Sequence, residues 1–512
     1  MNASAGFSLL DRQRARRGVV LSIIGGAVMA AAKASGFFLR AIFGGEMWGL
    51  YAIAWSFTEL LAFFLVGGFA DAAVVFSSRT LHAQGDQDEH YAALSKIIAL
   101  PFLFALLVAG VLHLFAPFLH QTFWSAHDPI LVDLVRILAW ALPLLVLVQV
   151  PVEATRAALR FGPAVGIVQI VLPILSLLGA VGCYYWFDAS ILAVGKGALL
   201  ALCVCAPLSL WVYSRQFGLK RTLRGLLSPR AGREALSFAI PQSLNMMVNQ
   251  GLNRMDSLML SAFGVSANAI GVYSLVSELT QLIRVAKLAF SGVYSPLVAK
   301  YRAQANPSGI IQALEDTAGK TSLLGLALLM VTMSIWPDVI FDRGEVWHDS
   351  ILFPWLLCVG PLMSAFFGLC GNTLLMLGHS RLLLKNALLS GLVNLVLNAL
   401  LIPVWGLFGA ALATAVASIT ISTLQMVELR KYENVGVKLR VYERNLLAAL
   451  PGILGALVVS LWLAPATGHT LGLLSPFLTR LACAVLSLGS YAALLWALPG
   501  HFPFAAAPHE VR

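Results

Sequence analysis

Ionisable side chains sit inside apolar stretches of this chain, where each costs several kcal/mol unless it meets water, a partner or a ligand. Lys33 and Arg40 lie seven apart in the first apolar segment and share a helical face. Gln242, Asn245, Asn249, Asn253 and Asp256 recur every three or four residues in a later segment, flanked by Gln250 and Arg254. The segment after it carries Ser277, Glu278, Gln281, Arg284, Lys287, Ser291 and Ser295. Glu59 and Asp71 stand in the second segment. Cations outnumber carboxylates in this set. Fixed positive charge in low dielectric suits an anionic ligand such as phosphate or pyrophosphate. Lys33, Arg40, Arg254, Arg284 and Lys287 are the candidate binding cations. Asn245, Asn249, Asn253 and Gln281 are the candidate polar lining, and Glu59 and Asp256 are candidates for proton or ion coupling. Glu153 and Arg156 read as a local ion pair, and Lys196, Arg136 and Arg480 as interface anchors.

No catalytic or metal-binding set is expected. The six cysteines lie in apolar segments without a CxxC pair. Asp338, Asp342, Glu345, His348 and Asp349 read as a solvated acidic loop.

The elements that carry these residues are membrane helices. The chain is 59% hydrophobic and 11% charged, against an average of roughly 25% charged. A spanning helix needs about 20 apolar residues, and about fourteen such segments are present. The first is 19–42, the second 48–76, the seventh 235–260 and the eighth 268–298. The net charge of +10 is not spread evenly. Arg79, Lys96, Arg215, Lys220, Arg221, Arg224, Arg230, Arg233, Lys431, Lys438 and Arg440 fall in alternate loops, while the loops between them carry Arg343 alone. By the positive-inside rule both termini are cytoplasmic and the helix count is even. The basic charge marks topology and does not point to nucleic acid.

Gly49-Leu50-Tyr51 recurs as Gly271-Val272-Tyr273, 222 positions later, and Thr58-Glu59-Leu60-Leu61 falls on Thr280-Gln281-Leu282-Ile283. The copies lie an even number of crossings apart, so they run in the same direction, as parallel halves related by an axis along the membrane normal. Glu59 aligns with Gln281, one turn from Arg284, and a Glu59–Arg284 contact across the halves is expected in one state of the transport cycle. The map is a cytoplasmic N-terminus (1–18), an N-lobe (19–214), a basic linker (215–233), a C-lobe (234–430) and a C-terminal helix pair with a cytoplasmic tail (431–512).

Asn394, Asn398, Pro403, Gly406, Gly409, Ala410, Ala411 and Thr414 form the most specific run. Pro403 and Gly406 suit a short outer turn, and Gly409, Ala410 and Ala411 permit close helix approach. This run resembles the span eleven–twelve signature of the multidrug/oligosaccharidyl-lipid/polysaccharide flippase superfamily. Arg40 to Tyr51 is similar to that family's first hairpin, Asp256 to Tyr273 to its span seven–eight hairpin, and Asn372 to His379 to its span ten exit. The chain looks most like the polysaccharide-transporter branch, the O-antigen and exopolysaccharide flippases.

The resemblance implies an all-α integral membrane protein with two parallel six-helix lobes around a cationic cavity. It implies alternating-access movement of an undecaprenyl-pyrophosphate-linked oligosaccharide across the inner membrane, without enzymatic chemistry. No cofactor is expected; a proton or sodium gradient is the candidate energy source. A polysaccharide polymerase and export proteins are the candidate partners. The alternatives are a lipid II flippase, whose arginine set has no clear match here, and a drug/cation antiporter, which the cationic residues and the final helix pair count against.

Overall fold

A chain in hydrocarbon must satisfy its amides internally, and every described apolar segment is accordingly helical, with no strand among the described residues. The computed structural model describes residues 36, 38–82, 87–158, 161–187, 189–225, 232–339, 352–438, 440–458 and 474–497. Expected span two is α1 (Gly45–Ala62), a π-helical turn (Phe63–Gly67) and α2 (Gly68–His82). α3 (Gln87–Phe123) follows, then α4 (Ile130–Ala139) with α5 (Ala141–Ala154), α6 (Leu172–Trp186), α7 (Leu192–Phe217) and the short α8 (Leu219–Gly225). α9 (Gly232–Ala262) is the polar seventh span, and α10 (Ala267–Thr280), a 3-10 turn (Gln281–Arg284) and α11 (Val285–Ala303) make the eighth. α12 (Pro307–Val339), α13 (Phe353–Met376), α14 (Ser380–Glu433), α15 (Arg440–Val458) and α16 (Leu474–Ala497) complete the chain.

Eight helices among the described residues are long and apolar enough to cross a membrane. One of them, Arg381–Glu433, holds two expected spans. α9 and the α10–α11 pair are not among the eight, because the polar rows that mark them lower their hydropathy. Most of the first expected span, including Lys33, and most of the acidic loop at 340–351 lie outside the described residues.

Contacts divide the chain into two compact units, Met1–Ser274 and Leu275–Arg512. The packing units are not the repeat units: α9 and the first half of α10 pack within the first unit, on α1 and α2. That unit's core is built from small and branched side chains such as Ala72, Ala73, Leu142, Val146 and Ala206. Glu153 and Arg156 pair at 3.0 Å, as their spacing predicts.

In the second unit, α14 bends where the sequence places a turn. Gly406 adopts φ 50 and ψ −124 inside an otherwise helical run, a backbone that disfavours any side chain. A Cβ at Gly409 would overlap the Leu401 carbonyl. The two arms are then joined by polar groups four residues apart. Asn394 Nδ2 donates to Thr414 Oγ1 at 2.9 Å, and Ser390 Oγ to the Ala417 carbonyl at 2.8 Å. Asn386 Nδ2 donates to Glu428 Oε2 at 2.5 Å. Unpaired, these groups would be costly in an apolar interior.

Candidate transport site

Span two lies against span seven along its length, and three polar contacts mark the seam within the first unit. At one end Arg40 Nη2 donates to Asn268 Oδ1 at 3.1 Å. At the middle the Glu59 carboxylate pairs with the Arg254 guanidinium. At the opposite end Gln242 Nε2 donates to Asp71 Oδ2 at 2.8 Å. Glycines let the backbones close between these points: a Cβ at Gly67 would stand 2.8 Å from Met246 Cβ, and one at Gly68 would overlap the Ala239 carbonyl.

The Gly45 end of this seam is a backbone crossing of repeat-equivalent positions. Gly45 and Gly49 of α1 pack on Ala267 and Gly271 of α10, and a Cβ at Gly49 would overlap the Ala267 carbonyl. This small-xxx-small spacing is the pattern that lets membrane helices touch. The loop between α3 and α4 folds over the same end. Trp124 Nε1 donates to Ser261 Oγ at 3.1 Å and His127 Nε2 to the Ser261 carbonyl at 3.2 Å. Burial is the largest influence on His127 and holds its imidazole below the ordinary value of 6.5. The Ser261 hydrogen bond opposes the shift, His120 adds to it and Glu46 opposes it.

Asp256, 1% exposed, accepts from the Tyr273 hydroxyl at 2.6 Å. Tyr51 stands within electrostatic reach of both Glu59 and Arg254. Asn245 is half-buried on the same row. Asn249 and Asn253 lie on α9, and their side chains are outside the described set.

The second unit holds the other cations. The 3-10 turn Gln281–Arg284 breaks the eighth span in mid-course, and Gln281 Nε2 donates to the Ser277 carbonyl at 3.4 Å. Mapped by the 222-residue offset, the π turn at Phe63 begins one position after this 3-10 turn ends. Both copies leave α geometry at nearly the same position of the repeat, a feature of helices that bend in function. Arg284 and Lys287 are three residues apart and partly exposed. Arg284 lies within the field of Glu278, and Lys287 within that of Arg284. Lys287 runs over α13: a Cβ at Gly368 would lie 2.8 Å from its Cδ and 3.1 Å from its Nζ. Beyond it the Tyr294 hydroxyl and Thr373 Oγ1 share a 2.5 Å hydrogen bond.

Of the sequence-derived site residues, the structure thus brings Arg40, Glu59, Arg254, Asp256 and Asn245 into one unit, and Gln281, Arg284 and Lys287 into the other. Within the first unit Glu59 has Arg254 as its partner, and α9 is packed against α1. Sequence reasoning missed the roles of Gly368, Tyr51 and the Trp124–His127–Ser261 cluster. The Gly45–Gly49 and Ala267–Gly271 spacing was present in the repeat as a readable signal of contact.

Residues 17–302, more than half of the chain, match the family described as polysaccharide biosynthesis protein. The chain belongs to that family. No curated protein matches it in sequence. Among solved structures it is similar to a lipid II flippase MurJ in an inward closed conformation, with a TM-score of 0.67 and 16% identity over 93% of this chain and 99% of that one. It is also similar to the MATE multidrug transporter DinF-BH in complex with R6G, with a TM-score of 0.62 and 17% identity over 85% of this chain and 98% of that one. An inward-facing multidrug resistance MATE transporter of the MOP superfamily aligns at 0.59 and 15% identity, over 79% and 98%. The fold is therefore that of the MurJ and MATE transporters, as the Asn394–Thr414 signature implied. This family member is a multi-pass membrane protein whose relatives in family and fold are transporters and flippases.

Proposed function

We propose that this protein flips an undecaprenyl-pyrophosphate-linked oligosaccharide, a polysaccharide or O-antigen repeat unit, from the cytoplasmic to the outer leaflet of the inner membrane. The observation that carries the reading is the placement of Arg284 and Lys287. Two cations one turn apart are held inside a membrane-spanning unit, at a helix break, with the lysine stem seated on a glycine. A diphosphate is the ligand chemistry that offsets such charge where water is scarce. The matched family and the wider coverage by the flippase than by the drug transporters support the same reading. A drug/cation antiporter would be poorly served by these cations.

Alternating access follows from the seam. When span two separates from span seven, Glu59 loses Arg254 and becomes a carboxylate in a low-dielectric passage, where protonation is favoured. Glu59 is the coupling residue in this reading, with a proton or sodium gradient as the energy source and Asp256 fixed by Tyr273. Both termini are cytoplasmic, and polysaccharide polymerase and export proteins are the partners downstream.

The experiment is complementation of a strain defective in glycan export, with membrane protein quantified alongside. Lys33→Ala, Arg284→Ala and Lys287→Ala abolish export at normal expression, and Lys33→Arg is tolerated better than Lys33→Ala. Full export by the alanine variants would remove these residues from the site.

A further inference from the structure

Away from the seam, α3 and α9 border a groove of about 930 Å³ that has a cation at one end and apolar walls beyond it. α3 contributes Lys96, Ala99 and Leu103, and α9 contributes Arg233, Leu236 and Ile240. Both sets follow the spacing i, i+3, i+7, which lines one face of a helix, and in both the cation comes first. No lining residue is acidic.

Under the topology read from the Lys and Arg distribution, both helices enter the bilayer from the cytoplasmic side. The two cations therefore lie at the headgroup level of the inner leaflet, and the apolar walls run about 10 Å into the hydrocarbon. The groove opens sideways: Leu103 is 58% exposed and Ile240 44%.

A second basic element borders the same end. α8 seats Gly225 on the backbone of Tyr91 and Ala92 at the start of α3, where a Cβ would lie 2.8 Å from either. The Tyr213–Thr222 hydrogen bond of 2.9 Å fixes α8 to α7. Lys220, Arg221 and Arg224 of α8 are exposed.

We infer that the α3–α9 groove is a resident site for one anionic glycerophospholipid of the cytoplasmic leaflet, its phosphate between Lys96 and Arg233 and an acyl chain along Leu103 and Ile240. Basic residues ordered at the inner-leaflet surface attract acidic headgroups. Apolar walls open to the bilayer are lined by acyl chains whatever the headgroup, so the cations set the preference. The site is independent of the proposed transport substrate.

The test is native mass spectrometry of the delipidated full-length protein titrated with dioleoylphosphatidylglycerol or dioleoylphosphatidylcholine. The expected result is one tightly held phosphatidylglycerol with a preference of about 30-fold, which corresponds to about 2 kcal/mol for two cations. The Lys96→Gln/Arg233→Gln variant brings that preference down to a few-fold. Leu103→Trp, which fills the groove and leaves both cations, weakens retention of both lipids. Arg215→Gln, a charge removed at the same leaflet outside the groove, leaves the preference intact. Equal retention of the two lipids by the parent protein would overturn the inference, as would an undiminished preference in the double variant. Undecaprenyl diphosphate bound at the groove in place of phosphatidylglycerol would assign it to substrate entry and overturn it equally.

Discussion

Gly49 and Gly271, equivalent positions of the two repeat copies, pack backbone against backbone: a Cβ at Gly271 would lie 3.0 Å from the Gly49 amide nitrogen. A crossing this close has no room for a side chain at Gly49, so Gly49→Leu forces the crossing ends of spans two and eight apart. Overpacking of this kind costs about 1–3 kcal/mol. The expected outcome is a lower melting temperature in detergent together with faster outer-side labelling of a Ser261→Cys reporter. Unchanged labelling would mean that the crossing does not close this end.

The Glu59–Arg254 pair gives a second prediction. Breaking a mostly buried pair leaves a charge without its counterion, so Arg254→Ala alone costs roughly 3 kcal/mol. In the Glu59→Gln/Arg254→Ala double variant the combined loss is smaller than the sum, by about 1–3 kcal/mol in a double-mutant cycle. Glu59→Gln also keeps shape while removing titration, and flipping by this variant no longer responds to an imposed pH gradient. A full response would make Glu59 structural.

Gly368 separates position from charge. Gly368→Ala puts a Cβ into the space of the Lys287 side chain, whose flexible end can yield, so folding is little affected while the ammonium is displaced. Transport in vesicles is expected to fall about tenfold, equivalent to about 1.4 kcal/mol in the barrier, with a melting temperature near that of the parent. Combining Gly368→Ala with Lys287→Gln lowers the rate no further than Lys287→Gln alone. Additive losses would show that the two do not act at one place.

His127 makes the α3–α4 loop sensitive to acid. Burial lowers its folded pKa below 6.5, so the neutral imidazole is the form the closed loop accepts. Above 6.5 the group is neutral in both states and contributes nothing to pH dependence. As pH falls below 6.5 the unfolded or opened loop binds a proton more readily, and stability of the closed loop is lost. Labelling of Ser261→Cys therefore rises between pH 7.5 and about 5.5, and His127→Gln flattens that rise. An equal rise in the variant would remove His127 as the cause.

The helical membrane class and the turn at Pro403–Gly406 were legible because each rests on local pattern: apolar length and turn chemistry. The polar rows of α9 and α10–α11 were legible for the same reason, since runs of Asn, Gln and Arg have few structural explanations inside a membrane. The partner of Glu59 was not. Alignment relates residues that occupy equivalent places, whereas contact depends on which helix faces which, and α9 packs on span two through Gly67, Gly68 and Gly251 as well as through the Glu59–Arg254 pair. Gly368 gave no signal of its own, because its role is an absent Cβ opposite a lysine 81 positions earlier in the chain. His127 was hidden in a short loop whose burial only the folded chain creates.

The most direct test of the account measures translocation of a fluorescent undecaprenyl-pyrophosphate-linked oligosaccharide in proteoliposomes, comparing the parent with Arg284→Ala and Lys287→Ala at equal incorporation. The account predicts that each variant loses at least about tenfold in initial rate, and that a lipid-linked neutral glycan lacking the diphosphate is not carried by the parent. Parent-like rates in both variants, or equal transport of the neutral glycan, would contradict it.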